Sequence, residues 1–377
     1  MTLNEEFLSA IDATEQEALD LLMELGKIPA PSHHEEARAE FCKQWLEKQG
    51  AKGVYIDEAL NVIYPIGCTE DNPVVIFAAH TDVVFPDTEE LPMRVEGNKL
   101  YCPGIGDDTA HVVALLMAAK YITQRNLTPK GCGILLVANS CEEGLGNLKG
   151  TRALMDKFGS RLQEFITFDG PGTNIIDRAV GSKRYKVEIE TEGGHSYSRF
   201  GNRNAIAYLA SLINTLYTMK VPQRGRTTYN VGTISGGTSV NTIAQNAEML
   251  YEFRSDDRED LAEMEAHFQA ALDFYRTKGI VVKCTLMGDR PCGAPVDEKK
   301  HDDLVARAAE ALRTYRGVDP KLGAASTDCN IPLSMGIPSI MVPCCLGAGA
   351  HTREEYIETD SVLPGVKFAT AMILHYM

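Results

Sequence analysis

Three short stretches of this chain carry side chains able to hold divalent cations. His80-Thr81-Asp82 follows an apolar run, Asp107-Asp108 stands just before a long one, and Glu142-Glu143 follows another strand-like run. Further on, Asp169 ends the apolar run Phe165-Ile-Thr-Phe168, and His351 follows the Gly-rich stretch Cys345-Leu-Gly-Ala-Gly-Ala350. Imidazole and carboxylate together suit zinc, with cobalt or manganese as substitutes. A carboxylate has two oxygens, so one side chain can bridge two cations about 3.5–4 Å apart, the spacing of two-metal hydrolases. Adjacent glutamates can divide the work between them. One binds metal and one moves protons, which makes Glu142 the general base.

Such groups act together only if the fold brings them to one edge. The first part of the chain alternates helical and strand signals. Glu15 to Gly26 and His34 to Gly50 carry apolar residues at helical spacing, and Pro73 to Ala79 is a continuous apolar run of strand length. Thr109 to Ile122 reads as an apolar helix, Gly133 to Asn139 as a buried strand, and Leu148 to Phe158 as a helix. Continuous apolar strands between helices predict an α/β fold, a mixed and mostly parallel sheet flanked by helices. Ligands of such sheets gather at the carboxyl ends of the strands. His80, Glu142, Glu143, Asp169 and His351 all follow predicted strands, and Asp107 precedes a helix.

The texture changes near Gly181. Lys183 to Thr191, Tyr229 to Ile234 and Glu248 to Arg254 alternate polar and apolar residues, the mark of strands with one solvated face. Helix candidates lie between them at Ala205 to Met219 and Leu261 to Lys278. After Arg290 the α/β texture returns, with a helix at His301 to Tyr315, a strand at Pro338 to Pro343 and a helix from Ser361 to His375. A compact α+β unit over residues 181–292 is therefore inserted into a domain made of residues 1–180 and 293–377.

Charge and composition exclude several function classes. With 37 basic and 52 acidic residues the 377-residue chain carries −15, which argues against a nucleic-acid ligand and against an anionic membrane surface. No apolar run reaches the ~18 residues of a membrane span, and the acidic N-terminus does not read as a signal peptide. The ten cysteines are scattered with no CxxC, as expected of small buried hydrophobes in a cytoplasmic protein.

At these motifs the chain resembles the di-zinc exopeptidase and deacylase family of peptidase T, glutamate carboxypeptidase, acetylornithine deacetylase and succinyl-diaminopimelate desuccinylase. His80-Thr-Asp82 matches its His-x-Asp, and Gly106-Asp107-Asp108 its Gly-x-Asp-Asp/Met-Lys-Gly. Glu142-Glu143-Gly144 matches Asp-Glu-Glu-x-Gly, and His351-Thr-Arg-Glu-Glu355-Tyr matches a terminal His-x-x-x-Glu-Tyr. The resemblance implies that Asp107 bridges two metals, that His80 and Asp169 complete one site, and that Glu143 and His351 complete the other. It implies Glu142 as general base, Asp82 as the residue orienting His80, and an Asp107-Asp108 peptide that is often cis.

The inserted unit resembles that family's lid, or dimerisation, domain, through Gly193-Gly-His195-Ser and Gly236-Gly…Asn241-Thr-Ile243…Arg254. The implied roles are an oxyanion contact for His195, reached across a homodimer, and a grip by Asn241 and Arg254 on the substrate's carboxylate or acyl end. Thr109 and His111 stand where the family has Lys and Gly, and Cys141 where it has Asp. The resemblance implies that amino-, di- and tripeptidases of the family carry Asp at the position of Asp169, whereas carboxypeptidases and acyl-amino-acid deacylases tend to carry Glu. The expectation is therefore hydrolysis of short peptides, closest in look to peptidase T, with removal of an acyl group from an amino acid as the alternative. A metal-binding relative without catalysis is a third reading, against which the intact Glu142 speaks.

Overall fold

A computed structural model describes residues 3–377. The chain divides into two compact units, Met1–Ala179 with Ala294–Met377, and Val180–Gly293.

The first unit is built on an eight-stranded sheet. Its order is Tyr55–Ile56, Val62–Ile66, Gly133–Asn139, Val74–His80, Leu162–Phe168, Ser339–Val342, Ile175–Ala179 and Leu322–Ala325. The four central strands, from Gly133–Asn139 to Ser339–Val342, run parallel. The strands Val62–Ile66 and Tyr55–Ile56 pair antiparallel on one side, so the sheet is mixed with a parallel centre.

Alternation along the central strands explains why both faces are covered. Val75, Phe77 and Ala79 belong to one hydrophobic core, with Leu115, Met117 and Phe368. Val74, Ile76 and Ala78 belong to another, with Leu154, Phe158 and Leu333. Successive side chains leave a strand on opposite faces, so a strand buried on both must be apolar throughout. The helix Ala110–Gln124 is buried from Ala110 to Ile122, as its nearly unbroken apolar sequence requires. The helix Glu36–Lys48 and the helix Val362–Leu374 pack on the same core.

The expected helices and central strands form within a few residues of their anticipated ends. The helix expected to start at Thr109 starts at Ala110, after a wider turn over Ile105–Thr109. Several elements escaped the reading, three of them for plain reasons. The helix Glu5–Asp12 is only two turns long, the strand Val62–Ile66 contains Pro65, and the edge strand Leu322–Ala325 is made of Leu, Gly and Ala.

The second unit is a four-stranded antiparallel sheet, ordered Thr227–Gly236, Asn246–Ser255, Gly181–Glu190 and Val281–Arg290. The helices Ala205–Tyr217 and Arg258–Arg276 bury Leu209, Leu212, Leu216, Met264 and Phe268 against Val187, Ile189, Tyr251 and Phe253. The opposite face carries alternating charges, such as Lys186 between Glu188 and Glu248.

Candidate functional site

The carboxyl ends of the parallel strands present the acidic and imidazole groups. His80 is the last residue of its strand. Asp169 directly follows the strand Leu162–Phe168, and its N–H bonds to the Val342 carbonyl of the next strand at 3.2 Å. Glu142 and Glu143 lie just past the strand Gly133–Asn139, after Cys141, whose φ of 57° turns the chain. Asp107 lies in the turn before the helix Ala110–Gln124, and the Asp107–Asp108 peptide is cis. His351 is carried by the loop between the short strands Gly347–Ala348 and Tyr356–Glu358.

These groups converge on Asp107. Its Oδ1 is 3.0 Å from His80 Nε2 and its Oδ2 is 3.1 Å from His351 Nε2. Asp169 Oδ1 stands 3.6 Å from His80 Nε2, and Glu143 Oε1 stands 3.2 Å from His351 Nε2. The five residues singled out as metal ligands are thus brought together, with one oxygen of Asp107 facing each imidazole.

The donor set fits cations. His80 Nδ1 lies 3.0 Å from the Asp82 carbonyl, which can only accept, so Nδ1 carries a proton and Nε2 is the nitrogen turned to Asp107 and Asp169, able to bind a cation once it has lost its own proton. Nε2 of each imidazole stands within hydrogen-bond reach of one Asp107 oxygen, a gap that either a proton or a cation can fill. Glu143 Oε1 is buried with no hydrogen-bond partner. The carboxylates of Asp107 and Glu143 beside it push the His351 imidazole up to about 10. Burial raises the carboxyls of Glu143 and Asp169, whereas on Asp107 the two imidazoles outweigh burial and hold its carboxyl low. His80, Asp107 and Glu143 lie close enough together to share an ion.

His80, Asp108 and Asp169 also lie within reach of one ion. The bonding of Asp108 gives it a different part. Its Oδ2 accepts the His80 N–H at 2.8 Å, and its Oδ1 faces His111 Nδ1 at 2.6 Å, both residues being fully buried. Burial lowers the His111 imidazole to about 3. Asp108 thereby holds the backbone of His80, with His111 beside it.

Asp82 does more than orient His80. Its Oδ1 lies 3.3 Å from His80 Nδ1, but its two oxygens also accept the backbone N–H groups of Glu142 and Glu143, each at 2.9 Å. The Ser32 hydroxyl donates to Oδ2 at 2.6 Å. Burial opposes ionisation of Asp82, and His80 outweighs it, so the carboxyl stays below its usual range. One buried carboxylate therefore fixes both a candidate ligand and the turn that carries the candidate base. Glu142 and Glu143 are themselves buried.

Sequence reasoning gave no part to Arg38 or Glu355. Arg38 is fully buried, and it donates from Nε to the Ile28 carbonyl at 2.8 Å. From the same guanidinium, NH1 reaches the Thr81 carbonyl at 3.0 Å and Thr109 Oγ1 at 3.1 Å. It ties the His80 loop to the Asp107 turn. Thr109, one of the departures from the family pattern, is part of this tie.

In the second unit His195 and Asn241 lie side by side, since the Ser196 N–H donates to the Asn241 carbonyl at 2.9 Å. The N–H groups of Tyr197 and Ser198 point at His195 Nδ1, at 3.3 and 3.5 Å. That leaves Nε2 as the protonated, donating nitrogen of the neutral ring. Arg254 is not brought to this pair. It sits eight residues beyond Asn246 on the same strand, on the order of 26 Å from that residue, and its fork holds Glu252 at 3.1 and 3.0 Å.

Known proteins of the same architecture carry the same kind of chain. A tripeptidase of Staphylococcus aureus superposes with a TM-score of 0.77 at 21% identity, over 95% of this chain and 97% of its own. Aminopeptidase PepT of Bacillus cereus gives 0.74 at 20% identity, over 95% and 98%. At these identities the two show the fold. A succinyl-diaminopimelate desuccinylase of Alkalilimnicola ehrlichii is 26% identical over 275 residues, 68% of this chain and 71% of that protein. The profile of Peptidase family M20/M25/M40 matches residues 76–375, a stretch that holds every candidate ligand, both adjacent glutamates and the whole inserted unit. The chain belongs to peptidase family M20/M25/M40.

Proposed function

We propose that this protein hydrolyses the amide bond of short peptides in the manner of an aminopeptidase or tripeptidase, with two divalent cations, zinc first, as cofactors. The observation that carries the reading is Asp107, whose two carboxylate oxygens each face the Nε2 of a different histidine. His80 and Asp169 would hold one cation, Glu143 and His351 the other, and Asp107 both. When bound, the cations polarise the scissile carbonyl and make water a nucleophile near neutral pH.

The chain's own residues do the rest. Glu142 takes the proton of the attacking water and passes it to the leaving nitrogen. Its backbone is held by Asp82, so its carboxylate stays apart from that of Glu143. His195, with Nε2–H free to donate, stabilises charge that develops on the carbonyl oxygen. A tripeptide spans at most about 11 Å, less than the run of strand between Asn246 and Arg254, which argues against His195 and Arg254 of one chain gripping it together. That distance supports a homodimer in which one chain gives His195 and Asn241 and the other gives Arg254. The edge strand Thr227–Gly236, with Ile234 exposed, offers a surface for such pairing. Arg254 would exchange Glu252 for the substrate carboxylate, which its planar fork matches bidentately.

Asp169 and the net charge of −15 favour a free ammonium end on the substrate. Removal of an acyl group from an amino acid is the second reading, favoured by the similarity to the desuccinylase. Ten free cysteines support a cytoplasmic location. No helix among the described residues is long and apolar enough to cross a membrane. Specificity constants on metal-loaded protein decide between the two substrate classes. Free di- and tripeptides should exceed N-acetyl and N-succinyl amino acids, and peptides with blocked amino ends should be poor. If an acylated amino acid outperforms every free peptide tested, the deacylase reading replaces this one.

A further inference from the structure

We infer that Glu35 is a positioning residue for the general base, one that holds the turn Cys141–Glu143 together with Asp82. The inference rests on the reading that Glu142 is that base. Two adjacent glutamates can take different jobs only if the backbone between them is held, because a turn free to rotate would let either carboxylate reach the cations. Three successive N–H groups of this turn end on buried carboxylates. Those of Glu142 and Glu143 go to Asp82, and that of Cys141 goes to Glu35 Oε1 at 3.0 Å.

Glu35 opens the helix Glu36–Lys48 and is fully buried. The same Oε1 accepts the His33 N–H at 3.1 Å and the Cys141 thiol at 3.2 Å. Oε2 is buried with no partner. All the bonding of this carboxylate is thus concentrated on the oxygen that faces the turn. A buried polar oxygen is costly unless it is hydrogen-bonded, and the N–H groups of His33 and Cys141 and the Cys141 thiol supply that to Oε1.

The turn itself needs holding. Cys141 has a φ of 57°, in the left-handed region that side chains other than glycine seldom adopt. Glu35 binds both the N–H and the thiol of this residue, which accounts for a cysteine where the related proteins have aspartate. A second aspartate there would set a carboxylate against Glu35, whereas a thiol donates to it. Ser32, three residues before Glu35, completes the grip through its bonds to Asp82 Oδ2 at 2.6 Å and the Glu143 carbonyl at 3.3 Å. The segment Ser32–Glu35 and Asp82 therefore hold the base-bearing turn jointly.

The test compares reach with charge in the full-length, metal-loaded protein. Glu35→Gln keeps an oxygen at the same reach and loses the charge. Glu35→Asp keeps the charge and withdraws it by one methylene. Positioning predicts that Glu35→Gln retains kcat near wild type, and that Glu35→Asp loses about 10–100-fold in kcat, with KM and the two-metal content unchanged. Equal losses in both variants, or a greater loss in Glu35→Gln, would assign Glu35 a role through charge and overturn the inference. So would a folded, metal-loaded Glu35→Asp with the wild-type rate. Glu142→Ala serves as the control. A normal rate in that variant overturns the base assignment and this inference with it. A lost rate there beside a normal rate in Glu35→Asp overturns this inference alone.

Discussion

Glu355 closes both oxygens of its carboxylate on the backbone that presents Asp107. Oε1 accepts the N–H groups of Gly106 and Asp107, each at 2.8 Å, and Oε2 accepts that of Gly104 at 2.8 Å. Glu355 is fully buried and lies four residues after His351. One loop therefore supplies a candidate ligand and also holds the backbone of the candidate bridge. Residues that orient a ligand commonly cost 10–100-fold in metal affinity when lost. Glu355→Ala should weaken binding of the second ion by about that factor, read by metal titration, with Glu355→Gln milder because one acceptor remains. Unchanged affinity in a folded Glu355→Ala protein would mean that the Asp107 turn holds itself.

Removal of the base should separate binding from chemistry. Glu142→Ala keeps all five candidate ligands, so the metal content should stay at wild type. Turnover on the best peptide should fall about 10²–10⁴-fold, the usual contribution of a general acid–base group. Turnover near wild type would show that another group moves the proton.

The turn bearing the two glutamates is also packed from behind. A methyl group added at Gly150 would press into the Ser140 carbonyl, 2.5 Å from Asn61 Oδ1 and 2.8 Å from Ser140 N. Backbone atoms there cannot move aside cheaply. Gly150→Ala should cost about 1–3 kcal/mol of stability, as overpacking does, and lower kcat through displacement of Ser140. Thermal unfolding and kinetics on the same sample check both. A variant as stable and as active as wild type would show that this contact is slack.

Much of the site could be read in the sequence because its parts lie at strand ends. His80, Asp169 and the Glu142–Glu143 pair each follow a continuous apolar strand, and parallel strands must deliver their carboxyl ends to the same edge. The supports could not be read in that way. Arg38 sits in a helix whose other charges are solvated, and nothing in its neighbours sets it apart from them. The hold of Asp82 on two N–H groups and that of Glu355 on three depend on backbone directions that no spacing of residues encodes. The separation of Arg254 from His195 follows from strand register, which appears only once the pairing is known. The strand Val62–Ile66 was hidden by Pro65, a residue rare inside sheets.

The proposed homodimer gives a complementation test. His195→Ala and Glu142→Ala chains are each expected to be nearly inactive alone. If His195 serves the partner's site, the mixed dimer contains one site with both an intact base and an intact imidazole. Activity should then return to a substantial fraction of wild type once chains exchange. With exchange confirmed by native mass spectrometry, a mixture as inactive as its components would assign His195 to its own chain's site or to none.

The central claim is a two-cation centre bridged by Asp107, and a metal titration of the stripped protein tests it most directly. Hydrolysis of the best peptide should be absent without metal and should reach its maximum at two ions per chain. Asp107→Asn, which keeps the shape but weakens the bridge, should lose the two-ion stoichiometry and the activity together. Full activity with no metal or with one ion per chain, or an Asp107→Asn variant that binds two ions as tightly as wild type, would contradict the account.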